Sequence, residues 1–551
     1  MRRWRPAGDA ALLLQADGVA ARLAAAILAE RHGGVVDVVP GAATVLVTTE
    51  PGALDLGVLA ARLLALPLPP PGQAGGALTE IPVVYDGPDL AEVGRLTGLS
   101  AEEVVARHVA AEYTVGWLGF SPGFGYLTGL DPVLATVPRL AEPRVRVPAG
   151  AVAIAGGLAA VYPASSPGGW RLLGRTQAVL WDPDRDPPAV LAPGMRVRFR
   201  AVDPAHAPLT ATHPATPTTA PPATTPVTTQ RGPKHDCGGL TTGPVANEPR
   251  SWKTGTVIEV IRPGPLATVQ DLGRPGFGHL GVPRSGAADP ASLRTANRLV
   301  GNPDGAAGVE VTLGRAAFRF TGEATAAVAG APLPLSLESG SQAAAAGLPH
   351  GSTLRVPAGA VLRLGAPQTG LRSYLAVRGG VDVPPVLGSR CADLRSGLGP
   401  GPLRPGDLLP VGAAGQPPAV PAGTGAGAPQ PAMPVPGEPA VLRVVPGPRD
   451  DWFAPGAVQR LCAEPYLVTP ASDRTGLRLD GPALARARGA ELLSEGMATG
   501  SLQVPPNGRP ILLLAEHPVT GGYPVIATVV SADIGLAAQL RPGGKLRFTL
   551  G

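Results

Sequence analysis

Cysteine is nearly absent. Its three residues, Cys237, Cys391 and Cys462, stand far apart. An odd number at such spacing excludes a disulfide framework, and no two are near enough for a zinc knuckle. A cytoplasmic location is the expectation. Excess charge of one sign is also missing. Lys and Arg number 46 against 41 Asp and Glu, a formal net charge of +5. The early cations Arg2, Arg3, Arg5 and Arg22 are too sparse for a nucleic-acid stripe, so no nucleic-acid partner is expected. No uncharged run has membrane-spanning length, and the opening "MRRWRPAGDAALLLQAD" is broken by Asp9, Gln15 and Asp17, a poor signal peptide. The sequence has no Walker GxxxxGK[ST], no GxGxxG opening a helix and no HExxH. The eight histidines are scattered, so no metal site is predicted, and no Met-Lys-Met stretch offers a lysine for covalent biotin.

What is present is glycine (75) and proline (67), in a chain that is nonetheless 44% hydrophobic. Alternating apolar and polar segments argue against global disorder, and the Gly/Pro load reads as turns between many short strands. The chain has 551 residues, enough for three or four domains. Two stretches lack hydrophobic periodicity: a Thr/Pro/Ala-rich one over 204–250 and a Pro/Gly/Ala-rich one over 412–440. Both read as linkers, the first flexible.

The blocks between them share signatures. Pro122-Gly-Phe-Gly-Tyr-Leu matches Pro275-Gly-Phe-Gly-His-Leu, and "VPAGAV" occurs at Val147–Val152 and again at Val356–Val361. A closing turn and strand appears as "LAPGMRVRF" from Leu191, "LRPGDLLPV" from Leu403 and "LRPGGKLRF" from Leu540. Together these predict duplicated β-rich domains. Predicted helices cover 17–32, 90–97, 100–111 (Ser100 and Glu103 form a capping box) and 289–302, where Asp289 caps and Pro290 opens. With the strand "VVDVVPGAATVLVTT", the first of these forms a small α/β region.

Aromatics are only 4% of the chain, yet Tyr113, Trp117, Phe120, Phe124 and Tyr126 fall within fourteen residues around "GFSPGFGY". Rings packed beneath a rigid turn are one reading. The other is a pocket wall with exposed N–H groups beside Ser121, suited to a small anion or carbonyl. In "GGLAAVYPASSPGGWRLLGRT", Arg175 and Thr176 are candidates for a carboxylate or phosphate site. "GPLATVQDLGRPGFGHLGVPRSGAADP" interleaves turn formers with Gln270, Asp271, Arg274, Arg284 and Asp289. A final polar group, Glu495, Gln503, Asn507, His517 and Tyr523, flanks apolar strands.

These motifs carry a specific resemblance. "HVAAEYTVGWLGFSPGFGYLTGL" and "RVRVPAGAVAIAGGLAAVYPASSPGGWRLLGRT" resemble the B subunit of bacterial ATP-dependent 5-oxoprolinase. That is the family of allophanate-hydrolase subunit one and the sporulation-kinase inhibitor. "GPLATVQDLGRPGFGHLGVPRSGAADPASLRTANRLVGN", "VLGSRCADLRSGLGPGPLRPGD", "SDRTGLRLDGP" and "TGGYPVIATVVSAD" resemble the C subunit, a relative of allophanate-hydrolase subunit two. The resemblance implies a B–C fusion, mainly β with an α/β N-terminal region, holding three cyclophilin-like barrels in two halves. The α/β domain is placed at 1–80 and the barrels at 81–203, 251–411 and 441–551.

The implied activity is ATP-dependent opening of 5-oxo-L-proline to L-glutamate. ATP is the co-substrate, with Mg2+, and a separate A subunit is the partner. A homo-oligomer is compatible with this. The alternatives are a biotin-dependent carboxyltransferase of the urea amidolyase type and a non-catalytic kinase-inhibitor module. The pocket is expected between the halves. Phe120, Ser121, Gly123 and Tyr126 would form one wall, with Arg144, Arg175 and Thr176 nearby. Gln270, Asp271, Arg274, Arg284 and Asp289 would face them, with Tyr523 as a further binding residue. Asp271, Arg274 and Ser121 are the candidate catalytic groups. Two departures from the family pattern stand out: Leu158 replaces a usual Gln, and Glu516-His517-Pro518 replaces a polar run.

Overall fold

The computed structural model describes residues 3–70, 78–140, 142–203, 255–340, 342–414, 432–489 and 492–551. The 204–250 linker reading lies outside them, as does most of 412–440.

The chain begins with a four-stranded antiparallel sheet, in the order Trp4–Pro6, Ala11–Gln15, Thr44–Thr49, Val35–Pro40. Side chains alternate across a strand. One face (Leu12, Leu14, Val45, Val47) therefore packs on the helices Ala20–Glu30 and Leu56–Leu64. The other face (Ala11, Leu13, Val39, Leu46) packs on Ala498 and Val519 of the C-terminal barrel. The N-terminal sheet is thus clamped to the far end of the chain. Arg5 reinforces this by pairing with Asp450 at 2.7 Å, as does Asp9, which accepts from Ser531 N and Oγ at 2.9 Å.

The second unit is a seven-stranded sheet whose edges are Thr79–Val83 and Arg171–Arg175. Reciprocal 2.9 Å hydrogen bonds between Val84 and Arg175 bring those edges together and round the sheet into a barrel. Thr79–Val83 pairs in parallel with Arg196–Ala201. The sequence-based boundary at 80 therefore cuts through a barrel strand. Next come sheets of six and five strands around one core that includes Ile258, Val269, Phe318, Phe320 and Leu375. The helix Pro290–Leu299 lies on the five-stranded sheet. The last unit is a closed seven-stranded barrel running from Ala440–Pro446 to Lys545–Leu550.

The repeats share backbone geometry as well as letters. In the three closing turns Gly194, Gly406 and Gly543 have φ of 86°, 90° and 84°. In the two "VPAGAV" copies Gly150 and Gly359 have φ of 78° and 77°. These are left-handed positions that glycine occupies without a steric penalty. "VVDVVPGAATVLVTT", read as one strand, is a hairpin of Val35–Pro40 and Thr44–Thr49. The capping box at Ser100 and the cap at Asp289 form as the sequence predicts. Among the described residues no helix is long and apolar enough to cross a membrane.

Candidate functional site at the junction of the two halves

The ring-rich turn joins the strands Tyr113–Leu118 and Gly125–Thr128. Trp117 stacks on Tyr126 at 4.6 Å, and Phe124 sits edge-on to Tyr126, Tyr162 and Trp170. The rings therefore form the floor that fixes the turn. Phe120 is held at φ 59°, which is unusual for a residue with a side chain. Its N–H donates to Thr520 Oγ1 at 2.8 Å, and Tyr126 Oη lies 3.3 Å from the same hydroxyl. The second copy of the turn meets the first directly. Gly123 N–H donates to Leu280 O at 3.0 Å, and a Cβ on Gly281 would lie 2.3 Å from Ser121 O. The duplicated turns are the two sides of one seam.

A loop over 389–400 brings Arg395 above the Phe120 ring, 5.3 Å from its centroid. This contact stabilises the cation modestly. Among the described residues no hydrogen bond or ion pair engages its guanidinium. Burial pulls its pKa below the usual arginine range, while Asp393, Asp473, Glu516 and Tyr126 oppose the shift. Arg139 brings a second cation to Tyr126, and its Nε is buried without a partner. Ser121 Oγ and Trp117 Nε1 are likewise buried and unpartnered. Buried polar atoms are almost always satisfied, so this cluster singles out the seam as the candidate site, its atoms awaiting ordered water or a polar ligand. Its unpaired cations and donors suit an anionic or carbonyl group.

Beneath this site a buried ionic network locks the two C-terminal units together. Arg474 reaches Glu310 Oε1, Glu516 Oε1 (2.7 Å) and Gly286 O (2.6 Å), and Tyr374 Oη donates to Glu310 Oε2 at 2.8 Å. Burial pushes the Glu310 carboxyl up, but Arg474, Arg372 and the Ala288 N–H outweigh it and hold it below the usual range. Glu516, one of the departures from the family pattern, is thus a structural partner of Arg474. Leu158, the other departure, packs against the ring cluster.

Beside the seam lies a cavity of about 150 Å³ between the N-terminal sheet, the 278–284 loop and the C-terminal barrel. Asp37 lines it, and its Oδ1 accepts from Gly276 N (2.9 Å) and Gly278 N (2.8 Å). Burial pushes its pKa up to about 6, against the pull of those N–H groups and Arg284. His517 lines it too, with Nδ1 2.9 Å from Pro518 O and Nε2 3.1 Å from Thr499 Oγ1. These partners fit a neutral ring with its proton on Nδ1. Burial pushes the pKa of His517 down to about 4, so it is neutral near pH 7.

The structure brings Phe120, Ser121, Gly123 and Tyr126 to one place, but most of the facing wall differs from the one predicted. Asp271 is committed to holding the 389–391 segment: its carboxylate accepts from Gly273 N, Ser389 Oγ and Arg390 N. Arg274 is fully buried, donates to Cys391 O at 2.6 Å and stands 3.9 Å from Asp393, so it positions the loop that carries Arg395. Gln270 bonds Thr268 and Ala392 O inside the same loop's base. Asp289 caps its helix and accepts from Gln539 Nε2 at 2.8 Å. Arg144 pairs with Asp89, Arg175 pairs with Asp86, and Thr176 Oγ1 accepts from Ala178 N, all away from the seam. Tyr523 lies beside Arg486, 5.9 Å from ring centroid to guanidinium. Arg284 stands at the cavity, 3.6 Å from Glu50. Sequence reasoning missed Asp37, Arg139, Asp393, Arg395 and Thr520. Among the described residues no three His, Cys, Asp or Glu side chains are grouped to hold a metal ion.

The arrangement of sheets and seam has close counterparts. The model of the carboxyltransferase domain, subdomains C and D, matches residues 2–191, and that of subdomains A and B matches residues 280–550. The chain belongs to the carboxyltransferase-domain family that includes the B and C components of 5-oxoprolinase. It is 37% identical over 300 residues to the 5-oxoprolinase C subunit of Escherichia coli (strain K12), covering 53% of this chain and 90% of that one. It is 54% identical over 123 residues to the 5-oxoprolinase B subunit of Escherichia coli O157:H7, covering 22% of this chain and 56% of that one. The solved structure of TTHA0988 superposes over 100% of both chains at 37% identity, with a TM-score of 0.79. Counterparts of both components are thus joined in one polypeptide.

Proposed function

We propose that this chain is the fused B–C component of an ATP-dependent 5-oxoprolinase, opening 5-oxo-L-proline to L-glutamate together with a separate A subunit. The relatives that bear the names of the B and C components support this reading. The observation that carries it is the seam, where an unpaired Arg395 guanidinium stands over Phe120 between the parts that meet there. A lactam is a stable amide and a poor electrophile. Transferring the γ-phosphoryl group of ATP to its oxygen activates the ring carbon. One water adds there, and the ring C–N bond breaks with the amine as leaving group. A second water hydrolyses the resulting acyl phosphate to the carboxylate and phosphate. Developing negative charge needs cations placed beforehand in a dry site. Arg395 and Arg139 fit that need. The 150 Å³ cavity fits a small ring and not a whole nucleotide. Mg2+ would be carried mainly by the nucleotide's phosphates and waters with one or two carboxylates.

The test is ATP-dependent glutamate release from 5-oxoproline by the purified chain, with and without an A subunit. Turnover only with both present is the expected result. No turnover, with the A subunit shown competent beside another B–C pair, overturns the reading.

A further inference from the structure

We propose that the cavity between the N-terminal sheet, the 278–284 loop and the C-terminal barrel binds a small cyclic carboxylic acid, its ring in the chamber and its carboxylate on Arg284. The identity of the acid as 5-oxoproline rests on the function proposed above; the site itself does not.

Size is the first argument. The cavity holds about 150 Å³, and a cavity of about that volume accommodates a single six-membered ring such as benzene. Lining is the second. Val39, Leu46, Val282, Met497 and Val519 give the wall an apolar side for a ring, and polar groups that include Asp37 and Arg284 line the rest. The third argument is that those polar groups have capacity left over. Asp37 spends Oδ1 on the Gly276 and Gly278 N–H groups, leaving Oδ2 to accept from a ring N–H. Arg284 is only loosely engaged, 3.6 Å from Glu50 and 3.5 Å from Leu272 O, with 39% of its side chain exposed. A lactam acid offers a ring N–H to Asp37 and a carboxylate to Arg284. The pocket draws on three separate parts of the chain, so it exists only when the halves are docked.

The experiment is direct binding of 5-oxo-L-proline to the full chain alone, by calorimetry or ligand-detected NMR. Cyclopentanecarboxylic acid, which keeps the ring and the carboxylate but lacks the ring N–H, is the control. The expected result is saturable binding, weaker for cyclopentanecarboxylic acid, reduced at least about tenfold by Arg284→Gln and abolished by Ala498→Leu, which fills the chamber. Arg284→Gln lies at a part-exposed position and guards against a folding defect in the core variant. No saturable binding at millimolar ligand overturns the site. So does turnover by the chain with its A partner whose KM is unchanged in both variants, and in that case the 5-oxoprolinase reading stands. Binding without turnover beside a competent A partner leaves the site standing and removes the reading.

Discussion

Arg395 and Arg474 are both largely buried arginines, and they should fail in opposite ways when replaced. Arg474 joins Glu310 and Glu516, both almost without solvent exposure. Arg474→Gln strands the buried Glu516 and leaves Glu310 with Arg372 alone at 3.4 Å, and should cost about 3–5 kcal/mol of stability. Among the described residues no hydrogen-bonded or ion-paired partner of the Arg395 guanidinium would be stranded. Arg395→Gln should leave the melting temperature nearly unchanged and lower kcat/KM by about 10- to 100-fold, the worth of one charge-assisted contact. Thermal melts beside steady-state kinetics separate the two, and a large melting shift for Arg395→Gln would remove it from the site. Asp37 offers a pH test. Its pKa is about 6 against an ordinary 3.8, so it binds its proton more tightly folded than unfolded. Its contribution to stability is therefore present at low pH and lost as pH rises through about 6. Arg284 opposes the shift, and Asp9 and His517 also line the cavity. Asp37→Asn keeps the acceptor for Gly276 and Gly278 and removes the charge. The variant should gain on the wild type between pH 4 and pH 7 by up to about 3 kcal/mol. Denaturant unfolding at several pH values measures this, and a flat difference would show that Asp37 is well solvated.

At the scale of elements, the repeated glycine turns were the legible part of the sequence. A Pro-Gly pair before an alternating run names its own conformation, and Gly194, Gly406 and Gly543 all adopt it. Helix Leu56–Leu64 was not legible. Its apolar residues spread around the axis, and Val58 is 70% exposed, which blurs the periodicity. The site was half legible for a related reason. The ring-rich turn is local and announces itself. Asp37 looks like the solvent side of an apolar strand, and only donors 239 and 241 residues further along give it a role. Arg395 depends on Asp393, which accepts from the Arg395 and Ser396 N–H groups, and on Arg274 beneath the loop. Such long-range placement leaves no trace in spacing. Two glycines separate conformation from contact. Gly543 has φ 84° with nothing near a Cβ, so Gly543→Ala should cost only the left-handed penalty of about 1–2 kcal/mol. Gly281 has φ 77°, and its Cβ would also strike Ser121 O. Gly281→Ala should cost clearly more and should lower activity as well. Equal melting shifts would mean that the two turns do not press together.

For the whole molecule, the organising fact is that the N-terminal sheet rests on the C-terminal barrel and not only on its neighbour in sequence. Arg5 with Asp450, Asp9 with Ser531, Ala42 N–H with Ser494 O and Asp37 with two glycine N–H groups all cross between halves. Apolar contact among Leu13, Val39, Leu46, Ala498 and Val519 backs them. The described contacts build this junction from residues outside 204–250, and that segment, read from its sequence as a linker, is predicted to keep the halves at high effective concentration. A protease site introduced into that segment tests this. After cutting, the halves should co-elute and keep most of their activity with an A partner at micromolar concentration. On dilution, activity should fall as they part, while the uncut chain holds steady. Separation at all concentrations would mean that the interface is too weak without the tether. Loss of activity while the halves still co-elute would place a catalytic requirement in the linker itself.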